Sequence, residues 1–139
     1  EAGGGAALAA SVVSAPQRQP FADKDPLGWR GLIAGMDAFD AGGLSRLVAN
    51  GIALRPTFAD LEQDIGGLDM PVLVVVGDRD HPAFEPSLLV ARTARYAGLS
   101  VIPYCGHSIV MEEADAFNRV LADFLARVCH GRWAGWRTP

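Results

Sequence analysis

The sequence predicts an α/β fold: a parallel sheet flanked by helices, with a helical lid-like segment ahead of it. Three observations carry this. Pro71-Val72-Leu73-Val74-Val75-Val76-Gly77 is β-branched and apolar on both alternating faces, the pattern of a strand buried on both sides. Leu99-Ser100-Val101-Ile102, stopped by Pro103, reads as a second strand, and the stretch between the two has helical spacing, which makes a β-α-β unit. Finally, Phe117, Val120, Leu121, Phe124, Leu125 and Val128 recur at helical intervals and form one apolar stripe suited to docking on a sheet face.

The elements follow in order along one domain, 1–139. Residues 1–16, rich in Gly and Ala, read as a small-residue helix. Residues 21–55 read as short helical pieces: Asp25-Pro26 opens one carrying Trp29, Leu32, Ile33 and Met36, and Leu44, Leu47 and Val48 mark another before Gly51. Frequent Gly and Pro make this stretch lid-like rather than sheet. The terminal β-α-β-α unit spans 57–130. Thr57 with Asp60 is expected to cap a helix through Phe58, Leu61 and Ile65 that ends at Gly66. In the crossover helix, Pro86 is expected in the first turn and Gly98 as the stop. Glu112, Glu113 and Asp115 gather where the last helix begins, which its dipole favours, and Arg127 lies near its end. Residues 131–139, with Trp133 and Trp136, have no periodicity and read as a frayed tail, an aromatic contact patch being the alternative.

Composition narrows the function. The 139 residues, 50% hydrophobic and 20% charged, suit a folded globular domain and not a disordered one. A formal net charge of -4 with scattered Lys and Arg argues against a nucleic-acid partner. No apolar run is long enough to cross a bilayer, and the Gly3 to Ala15 stretch lacks the preceding positive charge of a signal peptide, so a cytoplasmic protein is expected. Cys105 and Cys129 have no zinc-ligand spacing; they read either as free thiols or as one disulfide.

The chemistry gathers after the two strands. The first ends in Gly77-Asp78-Arg79-Asp80, and the second is followed by Tyr104-Cys105-Gly106-His107-Ser108. In a parallel sheet both loops emerge at the carboxyl edge, which brings an acid and a histidine side by side. A carboxylate on Nδ1 fixes the imidazole tautomer and stabilises the imidazolium formed when Nε2 takes a proton. Gly106 is expected to let the backbone turn tightly before His107. His81, before Pro82, and His130, at the end of the last helix, read as structural or exposed.

The run MPVLVVVGDRD followed by LSVIPYCGHSIVMEEADAFNRVLADFL resembles the last two strands and terminal helix of the α/β-hydrolase fold family, over residues 69 to 128. The resemblance implies a partial α/β-hydrolase-like sheet, with Asp80 as the acid of a catalytic triad and His107 as its general base. Asp78 is the runner-up acid. It implies an ester or similar small-molecule substrate in the complete enzyme, and neither a metal nor an organic cofactor.

The family's nucleophile, serine in G-x-S-x-G on a strand-to-helix elbow, has no counterpart in the 139 residues. Ser45, in Gly43-Leu44-Ser45-Arg46-Leu47, keeps half the pattern but lacks the strand before it and the second glycine. Glu1-Ala2-Gly3-Gly4-Gly5-Ala6-Ala7-Leu8 is similar to the small-residue helix that follows the nucleophile. Two expectations stand for this start: a chain that begins just after the serine, with Glu1 donating an oxyanion-hole N–H, or an unremarkable Gly/Ala helix or flexible end. Two other readings remain: a non-catalytic α/β module that binds a partner or small ligand, and a chain that self-associates through an exposed sheet edge.

Overall fold

The computed structural model describes residues 4–133; the expectations placed on Glu1 and Trp136 lie outside the described residues. The small-residue start forms helix α1, Gly4–Val13, whose Ala9 and Val12 are buried. A single 3-10 turn, Pro16–Arg18, leads into α2, Gln19–Lys24. Asp25 then caps α3, Pro26–Asp37, by accepting the Gly28 N–H at 2.8 Å, with Pro26 where its missing N–H costs nothing. Asp40 caps α4, Ala41–Leu47, in the same way through the Gly43 N–H. A π-helical turn, Val48–Ile52, prolongs α4, so Gly51 lies inside the helical run rather than ending it. Helices α3 and α4 pack on α1, and α2 packs on α3. Between 47 and 58 the segment leaves Leu47, Ile52, Leu54 and Phe58 exposed.

Thr57 and Asp60 do bond to each other reciprocally, Thr57 N–H and Oγ to Asp60 Oδ2 and Asp60 N–H to Thr57 Oγ. They close a turn, not the first turn of a helix through Phe58. Helix α5 is confined to Glu62–Gly66.

Strand β1, Val72–Gly77, and strand β2, Ala97–Ile102, pair in parallel from Val72 opposite Ala97 to Gly77 opposite Ile102. The crossover helix α6, His81–Thr93, packs on both. It begins earlier than Pro86 because Pro82 already supplies a favourable first turn. Pro86 then sits inside the helix, where it forgoes one bond to the Pro82 carbonyl. Gly98 does not stop a helix; it lies within β2. Short helix α7, Ile109–Glu112, precedes α8, Ala114–Cys129, so only Asp115 of the three acidic residues stands in the first turn of the long helix.

The described sheet is two-stranded, in the order β1-β2. Ile65, Ala94 and Ala97 form a small core with Leu61, Val72 and Val90. Phe21, Val76 and Cys105 are the largest fully buried side chains, and the apolar stripe of α8 has no fully buried member. Trp133 is anchored: its indole N–H donates to Tyr96 O at 2.8 Å, and its ring meets Phe124 edge-to-face at 4.8 Å. The Cζ2–Cη2 edge of its ring also meets Gly98, where an added Cβ would come within 2.5 Å of the ring. At Trp133 the contact reading replaces the frayed one. The cysteines are free thiols, Cys105 buried and Cys129 exposed.

Candidate active site

The carboxyl ends of β1 and β2 carry the two loops that the sequence singles out, and backbone hydrogen bonds stitch them together. Asp78 N–H donates to Ile102 O at 3.0 Å, and Arg79 N–H donates to Cys105 O at 2.9 Å. Gly77 permits this closeness, since a Cβ there would overlap the Cys105 and Gly106 carbonyls. The left-handed residue in the histidine loop is Tyr104, φ 52°, not Gly106. Gly106 is needed for a different reason: a side chain there would run into the Gln17 carbonyl.

These loops bring Asp80 and His107 together. Asp80 is 4% exposed, and its Oδ2 lies 2.8 Å from His107 Nδ1. An ionised carboxylate only accepts, so Nδ1 carries the proton and Nε2 is left as the basic nitrogen. The imidazole is 47% exposed, so the ring is open to solvent while its partner is not. Asp80 Oδ1 is buried and takes no hydrogen bond from the described residues.

Asp78 plays another part. Its Oδ1 accepts the Cys105 N–H at 3.1 Å, which ties the start of one loop to the other. The Tyr104 and Cys105 N–H groups, together with the Arg79 charge, hold its carboxyl below the usual carboxylate range. Burial first, then the charge of Glu112, pushes the Cys105 thiol up to about 12. A thiol with that value is a packing group, not a nucleophile.

Ser45 lies exposed inside α4 and not on an elbow after a strand. Ser108 is buried next to His107, with its Oγ 3.5 Å from the Arg18 guanidinium. His81 starts α6 and His130 follows α8, both exposed and neither facing Asp80 in a hydrogen bond. Among the described residues no cluster of three or more His, Cys, Asp or Glu side chains is placed to hold a metal, and no helix is long and apolar enough to cross a membrane.

Two groups around the pair escaped the sequence reading. His107 N–H donates to the Gln17 carbonyl at 2.8 Å, a backbone contact with no side-chain signature. Glu112 folds back beneath the histidine loop with its side chain fully buried. Its place five residues after His107 was the available signal, and the helix-dipole reading of the acidic cluster hid it. Lys24 closes the group, donating to Tyr104 O at 2.5 Å and to Glu113 Oε1 at 2.6 Å. Burial presses the Lys24 ammonium towards neutrality, but the hydrogen bond and charge of Glu113, with Glu112 behind, outweigh it and raise its pKa above the ordinary lysine value.

A two-stranded parallel sheet flanked by helices, with its acid and histidine loops at one edge, is an α/β-hydrolase-like fold. Among solved structures the chain is similar to MenH from S. aureus, with a TM-score of 0.77 at 16% sequence identity over 86% of this chain. The chain spans 44% of the length of that MenH chain. No protein-family model and no curated protein matches it.

Proposed function

We propose that this chain is the carboxyl-terminal portion of a serine-type α/β-hydrolase acting on an ester or similar small substrate, with Asp80 as the triad acid and His107 as the general base. The observation that carries the reading is the 2.8 Å contact from a buried Asp80 to the Nδ1 of a solvent-open His107. A serine supplied by chain outside these 139 residues would attack the substrate carbonyl and pass its proton to His107 Nε2. Asp80 would stabilise the imidazolium, and the same proton would then go to the leaving group. Without a nucleophile and oxyanion donors, the base has nothing to activate.

Two measurements test this. The 139-residue chain is expected to give no acyl-enzyme burst with an activated ester. In a protein that carries a serine elbow ahead of these residues, Asp80→Asn is expected to lower kcat by about 10⁴-fold with the fold intact. A kcat unchanged by Asp80→Asn and by His107→Ala would remove both residues from the reaction.

The absence of G-x-S-x-G from the 139 residues favours a second reading, a non-catalytic module whose acid-histidine edge binds a partner or small ligand. Activity that stays absent when the serine elbow is present would select it.

A further inference from the structure

We infer that Glu112 is the positioning residue of the histidine loop: its buried carboxylate spans His107 and fixes the imidazole on the end of Asp80. This rests on the reading of His107 as the general base. Glu112 Oε2 accepts the Gly106 N–H at 2.7 Å and Oε1 accepts the Ser108 N–H at 3.0 Å. One carboxylate thus holds the residues immediately before and after His107. The N–H of His107 itself goes to Gln17 O, so three consecutive amides are tied down while the side chain between them stays open to solvent.

A wholly buried carboxylate is costly unless it is paired and hydrogen-bonded. Lys24 Nζ, 3.7 Å from Oε2, supplies the opposite charge. It reaches there because α2 packs against α7, the short helix that ends at Glu112. A group kept at that cost beneath a loop is spent on geometry. Imidazole placement errors of an ångström are enough to lose a large share of the rate, so a rigid loop is what a general base needs.

The test is nuclear magnetic resonance on the 139-residue chain, comparing wild type with Glu112→Gln, Glu112→Ala and Lys24→Met. Two signals are followed: solvent exchange of the Gly106 and Ser108 amides, and the low-field Nδ1–H proton of His107. In wild type the amides are expected to be protected and the Nδ1–H resolved. Glu112→Ala is expected to speed exchange of both amides at least tenfold and to broaden the Nδ1–H beyond detection, while amides of β1 and β2 keep their shifts. Glu112→Gln retains one acceptor oxygen, so it should release one of the two amides more than the other. Lys24→Met leaves the clamp in place without its counter-charge and is expected to fall between wild type and Glu112→Ala; it carries the test if Glu112→Ala does not fold. Unchanged amide exchange and an unchanged Nδ1–H in folded Glu112→Gln and Lys24→Met would overturn the inference. A wild-type Nδ1–H that is missing beside protected amides would instead overturn the Asp80–His107 reading.

Discussion

Asp78 and Asp80 leave the same strand end, and their surroundings give them different tasks. Asp80 is turned to an imidazole, whereas Asp78 is turned to the backbone N–H groups of the opposite loop. The pKa of Asp78 is lower in the folded chain than its ordinary 3.8, so its contribution to stability is fully present above about that pH and is lost as pH falls through the folded value. Unfolding free energies of wild type and Asp78→Asn are therefore expected to differ by a constant amount near neutrality and to converge below pH 3.8. Denaturant titration between neutral pH and strong acid measures this, and a gap that stays constant into acid would contradict it. The choice of Asp80 as acid came from the resemblance, and local residue type alone did not separate the two carboxylates. The two differ in which way each points after Gly77, and that depends on the loop on the neighbouring strand.

At the scale of elements, β2 and the last residues described are joined by one stack. Trp133 covers Gly98, touches Phe124 of α8 and donates to Tyr96 at the entrance to β2. Gly98→Ala is expected to displace the ring and cost about 1–3 kcal/mol, the range for overpacking a filled site. The denaturant midpoint and loss of the protected Trp133 indole N–H signal would report it; an unchanged midpoint would show the ring contributes nothing. Strand β1 and α8 were legible in the sequence because each has a strong periodic signal, apolar on both faces in Val72–Val76 and one stripe in Phe117–Val128, whereas the crossover helix was legible in its existence and not in its bounds. The misplacements came from local signals overruled by packing. Gly98 looked like a helix stop, but it is the gap in which an indole lies. Thr57 and Asp60 looked like a helix cap, yet they close a separate turn, and the helix that carries Ile65 into the core starts only at Glu62. Glu112 looked like a dipole partner, but the two N–H groups flanking His107 turn it inward.

Over the whole molecule, apolar surface exceeds what the described core covers. Both outer edges of the β1-β2 pair lack a strand partner among the described residues, while Met70, Val101 and Leu125 are 57%, 42% and 49% exposed. Open edges beside apolar side chains favour pairing with another chain. We propose that the 139-residue chain self-associates, and light scattering is expected to show a mass that rises with protein concentration. A clean monomer at millimolar concentration would refute it. The clamp on the histidine loop has a further consequence, in time rather than space. Asp80 and His107 are 27 residues apart within one β-α-β unit and Glu112 lies six and four residues from the amides it holds, whereas Lys24, which brings the counter-charge, bonds Glu113 across 89. Closing the longer loop takes more chain entropy and waits on more of the molecule. The acid and base are thus expected to meet before Lys24 and Gln17 reach the histidine loop, and pulse-labelled hydrogen exchange, comparing the His107 N–H with the amides of β1 and β2, would contradict this if all were protected together.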